Sequence, residues 1–140
     1  METPIRILVV DDHEPWRRFI RSMLENEANL QVIGEASDGL QAIQQARKLR
    51  PDLVLLDIGL PTLNGIEAAK RISKLSPKTK IIIVSENRSS DIIGAALSMG
   101  ARGYVVKSDG GTKLLSAIKA VLEGKRFLSE KLGLNVSGAV

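Results

Sequence analysis

Asp57 ends a run of four apolar residues, Leu53-Val54-Leu55-Leu56, and the turn formers Gly59 and Pro61 follow it. A carboxylate at the end of a buried strand is held rigidly and faces whatever gathers beyond that end. Three other apolar runs stop at residues of chemical interest. Ile5–Val10 gives way to Asp11 and Asp12, Lys80–Val84 to Ser85, and Gly103–Val106 to Lys107. Singly, each has a structural use, because aspartate and serine cap turns and a lysine is a solvated charge. Jointly they imply more. Three carboxylates crowded on one rim repel each other and raise pKa values. Such a cluster persists when it binds a hard divalent cation through oxygen. Mg²⁺ suits it, held by one or two carboxylates together with waters and phosphate oxygens. The Ser85 hydroxyl and Lys107 ammonium would supply a hydrogen bond and a positive charge for an anion. A cation, an anion-binding flank and a central carboxylate describe phosphoryl transfer onto Asp57.

That chemistry requires the strand ends to share one rim, and the patterning of the chain supplies it. After Pro15, the residues Trp16, Phe19, Ile20, Met23 and Leu24 recur at helical spacing, predicting an amphipathic helix to about Glu27. Leu30–Ala36 is a second strand. Asp38-Gly39 turns into a helix bearing Leu40, Ala42, Ile43, Ala46 and Leu49, ended by Pro51. Asn64-Gly65 opens a helix bearing Ile66, Ala69, Ile72 and Leu75, stopped by Pro77. The loop Glu86–Ser90 precedes a helical face of Ile92, Ile93, Ala96, Leu97 and Met99, up to Gly100. The last helix, from about Gly111 to Glu123, presents Leu114, Leu115, Ile118, Val121 and Leu122. Five strand–helix units with helix-length crossovers make a parallel sheet with right-handed connections. Strands apolar throughout need helices on both faces, and ligands bind beyond the carboxyl ends of such strands. Arg126–Val140 shows no strong period and reads as a loose tail or the start of a linker.

Composition narrows the function. A chain of 140 residues fits one domain with a real core. Without cysteine there is no disulfide or thiolate–metal site, and the single histidine, His13, forms no histidine metal cluster. No apolar run is long enough to cross a membrane, and no secretory signal is visible after Met1, so a cytoplasmic place is expected. The net charge of +4 comes from 20 basic and 16 acidic residues spread mostly over helical polar faces. With almost no aromatics to stack bases, they read as a solvated surface rather than a nucleic-acid site.

At this point the chain resembles a known family, the receiver domains of two-component response regulators. The matching motifs are Val9-Val10-Asp11-Asp12-His13, Asp57-Ile58-Gly59-Leu60-Pro61 with Asn64-Gly65, Ile83-Val84-Ser85, and Gly103-Tyr104-Val105-Val106-Lys107. They occur in order and cover about residues 5–124. Gly100-Ala101-Arg102-Gly103-Tyr104 and Gly124-Lys125-Arg126-Phe127-Leu128-Ser129 look most like the subfamily that precedes a LuxR-type helix-turn-helix output domain. The resemblance implies a flavodoxin-like (βα)5 sandwich with a parallel five-stranded sheet of order 2-1-3-4-5. Residues 1–124 would be the receiver, and 125–140 a tail or the start of a linker to an output domain absent from this chain. Asp57 would be the phosphoacceptor, taking its group from a sensor histidine kinase. Asp12, Asp57 and the carbonyl of Gly59 would ligate Mg²⁺, with Asp11 acting through bound water. Lys107 would pair with phosphoryl oxygens. Ser85 would move to hydrogen-bond them, and Tyr104 would turn inward behind it, remodelling the partner-binding surface. Phosphorylation would favour a homodimer through the first and last helices, or the last and fourth. DNA would be reached only through the output domain.

The chain departs from the family's pattern at three places. Ser108 follows Lys107 where many members have proline, which weakens the case for a cis peptide there. Leu60 replaces a frequent methionine, a volume-conserving change. Glu86 follows Ser85 where a small residue is usual, so its carboxylate would modulate access. At about 6 Å from an incoming phosphoryl group, the repulsion would be roughly 0.7–3 kcal/mol. Other readings fit less well. A small Mg²⁺-dependent aspartyl-phosphate phosphatase would place its nucleophile on the first strand with a second acid two residues later, unlike Asp11-Asp12-His13-Glu14. A flavodoxin-like mononucleotide binder would carry a phosphate-cradling loop there, where the acidic pair repels phosphate. A receiver-like module that is never phosphorylated would have lost Asp57 or Lys107. A stand-alone receiver acting by protein–protein contact keeps every motif and differs only in lacking an output domain.

Overall fold

The computed structural model describes residues 3–129, so most of the expected tail lies outside the described residues. Within them, strands and helices alternate: β1 (Ile5–Val10), α1 (Glu14–Glu25), β2 (Leu30–Ala36), α2 (Gly39–Leu49), β3 (Leu53–Leu56), α3 (Gly65–Leu75), β4 (Lys80–Ser85), α4 (Ser90–Ser98), β5 (Gly103–Val106), α5 (Gly110–Leu122) and β6 (Phe127–Leu128). A single 3₁₀ turn, Lys107–Asp109, joins β5 to α5.

The sheet is parallel throughout, in the order β2-β1-β3-β4-β5-β6. It keeps the order 2-1-3-4-5 and adds a sixth strand. Residues Phe127 and Leu128, expected in a loose tail, instead pair with Gly103 and Tyr104. Ser129 fixes the new strand: it is buried, and its hydroxyl accepts from the Val106 N–H at 3.1 Å.

Side chains alternate across the strands, and two cores result. Leu8, Val10, Val54, Leu56, Ile81, Ile83 and Tyr104 face α2, α3 and α4. Ile7, Val9, Leu53, Leu55, Ile82, Val84 and Val105 face α1 and α5. Burial on both sides explains the unbroken apolar runs. Helix starts follow the sequence signals. Asp38 caps α2 by accepting from Gln41 N–H, and Asn64 caps α3 by accepting from Glu67 N–H. Helix α1 ends at Glu25, a turn element short of the predicted Glu27, and α4 begins at Ser90, inside the predicted loop. Ser89 accepts from Ile92 N–H there, so the serine pair starts the helix rather than delaying it.

Candidate functional site

Asp11 and Asp57 continue directly from β1 and β3, whose pairing extends to their own backbones. The Asp57 N–H donates to the Val10 carbonyl at 3.0 Å, and the Asp11 N–H donates to Ala36 at 3.0 Å. The two carboxylates are thereby registered side by side on the rim, as neighbouring strands dictate. Asp11 is buried, with Oδ1 accepting from His13 N–H at 2.8 Å. Arg17 donates to its main-chain carbonyl at 2.6 Å. Asp57 is buried too, with Oδ1 accepting from its neighbour Ile58 N–H at 2.8 Å. Asp12 is exposed on the same rim. One oxygen from each of Asp11, Asp12 and Asp57 lies within 4.8 Å of the others, the spacing of a set that can share one cation.

Lys107 reaches this cluster from the end of β5. Its Nζ stands 2.6 Å from Asp11 Oδ2 and 3.5 Å from Asp57 Oδ2. The lysine is therefore tied more closely to Asp11 than to the central carboxylate. Electrostatics follow from that placement. Burial pushes the Asp57 carboxyl above its ordinary value, Lys107 opposes this and the Asp11 charge adds to it. Burial works to lower the Lys107 ammonium, but the hydrogen bond to Asp11 and the Asp57 charge outweigh it and hold it above the ordinary lysine range. Lys107 stays charged, and Asp57 holds its proton more readily than a free aspartate.

Across the rim, Ser85 is buried at the end of β4, and its Oγ accepts from Asn87 N–H at 3.1 Å. Tyr104 is fully buried, turned inward, and its hydroxyl donates to the Asn87 carbonyl at 2.7 Å. The Ser85 and Tyr104 hydroxyls thus grip the N–H and C=O of one loop residue. Burial raises the Tyr104 phenol, Ser85 counters this, and the Asp57 charge raises it further. The turn after Asp57 is shaped by close approach. A Cβ on Gly65 would lie 2.0 Å from the Asp57 carbonyl oxygen, so only glycine lets α3 start against this turn. Gly59, two residues beyond Asp57, has open space around its α-carbon. Glu86 is exposed beside the site. Every peptide bond among the described residues is trans, Lys107–Ser108 included.

Three contributors were not marked by the sequence. Arg17, six residues after Asp11, supports its carbonyl, and Asn87 is the residue both hydroxyls hold. Arg88 donates to the Ser108 hydroxyl at 2.9 Å, linking the β4–α4 loop to the segment after Lys107. The Tyr104–Asn87 and Arg88–Ser108 contacts carry no spacing signal, since they join segments far apart in the chain.

Comparison with known proteins agrees with this geometry. The sequence profile of the response regulator receiver domain matches residues 7–119. Response regulator GacA of Pseudomonas viridiflava is 36% identical over 128 residues, which take in 91% of this chain and 60% of that protein. The chain thus spans well under two-thirds of that relative. Protein CcdB of Bacillus subtilis is 44% identical over 117 residues, covering 84% of this chain and 97% of its own length. A solved two-component response regulator of the LuxR family, from Aurantimonas sp. SI85-9A1, superposes with a TM-score of 0.90 at 33% identity, covering 98% of both chains. Parallel sheet, rim carboxylates, reaching lysine and matched profile converge: this chain belongs to the response regulator receiver domain family.

Proposed function

We propose that Asp57 accepts a phosphoryl group from a sensor histidine kinase. The observation that carries this is the meeting of Asp57, Asp11 and Lys107 within hydrogen-bond and ion-pair reach on one rim. A carboxylate oxygen of Asp57 attacks phosphorus, the phosphorus–nitrogen bond of the kinase phosphohistidine breaks, and the imidazole leaves with that electron pair. Asp12, Asp57 and the Gly59 carbonyl would hold Mg²⁺, with Asp11 reaching it through water. The donor set fits, being all oxygen and mostly anionic. Bound there, the ion would supply charge neutralisation for the transferring phosphoryl group. Lys107 leaves Asp11 to pair with the phosphoryl group, and Ser85 gives up Asn87 to hydrogen-bond it. Tyr104, expected to turn inward on phosphorylation, is already inward because its hydroxyl bonds the Asn87 carbonyl, and the freed loop would alter the surface of α4 and β5. The chain is a phosphoacceptor that assists its own phosphorylation and dephosphorylation rather than a turnover enzyme.

We place it in the cytoplasm, with regulation of transcription as its output through a DNA-binding domain beyond residues 125–140. The 60% coverage of GacA supports that output. A receiver that acts alone by protein contact has a length parallel in the 97% coverage of Bacillus subtilis CcdB, and it is not favoured over the transcriptional reading. The site itself is tested by incubating the chain with a phosphorylated histidine kinase and Mg²⁺ and weighing it by mass spectrometry. One added phosphoryl group is expected, none in Asp57→Asn. Equal labelling of that variant would refute the assignment.

A further inference from the structure

Trp16 is the chain's single tryptophan. We infer that it is a positioning residue for Lys107: its indole face holds the ammonium on the Asp11–Asp57 rim, and Gly110 provides the space that lets the ring reach it. The inference rests on the phosphoacceptor reading of Asp57 and adds to it the part of the site that steers the lysine.

Three observations converge on this role. Lys107 Nζ lies 5.3 Å from the Trp16 ring centroid, within the range of about 6 Å over which a ring face attracts a cation. The lysine side chain is only 16% exposed, so little water competes with the ring. Gly110 supplies the second. A Cβ there would lie 2.7 Å from Trp16 Cη2 and 3.3 Å from Cζ2. Its backbone is ordinary right-handed helix, φ −57° and ψ −39°, which any residue adopts. What glycine contributes at this position is room for the indole. The third is the bracing of the ring. Phe19 stands 5.3 Å away centroid to centroid, and its own edge approaches Gly111. The inward residues of α1 that serve only the core, Ile20 and Leu24, are fully buried, whereas Trp16 is half-buried and lies over the rim.

A ring suits the task better than a third carboxylate. Lys107 must travel from Asp11, 2.6 Å away, toward Asp57, 3.5 Å away. Another anion would capture it. An aromatic face attracts the ammonium without fixing its direction, so the ammonium slides between the two carboxylates while staying confined to their plane of approach.

The experiment uses the full chain with Mg²⁺ and acetyl phosphate, and compares native protein with W16F, W16L and Gly110→Ala. The first readout is the NMR shift of the Lys107 side-chain protons in the absence of phosphodonor. Protons over a ring face are shifted upfield in the native chain and W16F, and relax toward ordinary lysine values in W16L and Gly110→Ala. The second readout is the labelling rate of Asp57. W16F is expected within about twofold of native, and W16L about threefold to tenfold slower. Gly110→Ala moves the ring without deleting it and should slow labelling in the same direction, which keeps the test alive if W16L fails to fold. An unshifted Lys107 in the native chain, or a labelling rate in W16L and Gly110→Ala equal to native, would overturn the inference. So would equal slowing of W16F and W16L, which would assign Trp16 to packing. If the native chain takes no label from acetyl phosphate or kinase, the phosphoacceptor reading fails, and the NMR shift still decides whether Trp16 holds Lys107.

Discussion

Burial raises the proton affinity of Asp57, and that has a consequence for stability. A carboxyl with a raised folded-state pKa destabilises the fold once ionised. The penalty is absent below the unfolded value of about 3.9 and complete above the folded one. Asp57→Asn should therefore melt higher than the native chain at pH 7, by about 2–5 °C, and the gap should narrow as pH falls toward 4. Equal melting temperatures at pH 7 would mean that Lys107 already compensates the Asp57 charge. Glu86 is exposed, which puts its repulsion of an incoming phosphoryl group at the well-solvated end of the range, about 0.7 kcal/mol. Glu86→Ala should speed acetyl phosphate labelling about threefold at low salt, with the gain shrinking at high salt. An unchanged low-salt rate would show that Glu86 gates nothing. Asp11, Asp12, Asp57, Ser85 and Lys107 were legible because each ends an apolar run. The preference of Lys107 for Asp11 was not, because it depends on how deeply two adjacent strand ends are buried. Nor was the double grip on Asn87, made through backbone groups that every residue carries.

Among the elements, α3 is held against the site by contact rather than by propensity. Gly65→Ala would drive a Cβ into the Asp57 carbonyl, and a loss of about 1–3 kcal/mol is expected in urea unfolding. A change under 0.5 kcal/mol would mean that the turn yields freely. Strands and helices were largely legible from period and from Pro51, Pro77 and the caps Asp38 and Asn64. The 3₁₀ turn after Lys107 and strand β6 were not. Two residues are too short to show alternation, and Phe127-Leu128 is made a strand by the free side of β5 rather than by its own pattern. Ser129 then matters more than a polar surface residue would. Ser129→Ala leaves the Val106 N–H without its acceptor, and a loss of about 1 kcal/mol is expected by the same measurement.

At the scale of the whole molecule, the rim residues are wired to both faces. Asp11 and Asp12 lead into α1 and Lys107 into α5, on one face, while Ser85 leads into α4 on the other. A charge change at one point is thereby felt by helices on both sides. Between α5 and the starts of β1 and β2, Ile5, Leu30, Leu115 and Leu122 line a groove that offers one surface for self-association. Light scattering with beryllofluoride and Mg²⁺ should give twice the monomer mass, and Leu115→Glu should restore the monomer. A monomer with and without beryllofluoride would place the output in some other contact. Strand β6 bears on a different kind of association. Gly103–Val106 is buried along its whole length, and without Phe127 and Leu128 its outer row of N–H and C=O groups would face solvent unpaired. Such a row recruits strands from other molecules. A chain ended at Gly124 should therefore scatter light and form sedimenting aggregates as its concentration rises, with growth hastened by adding aggregates already formed. A two-residue strand is then the expected guard of this edge of the sheet against growth beyond its own molecule.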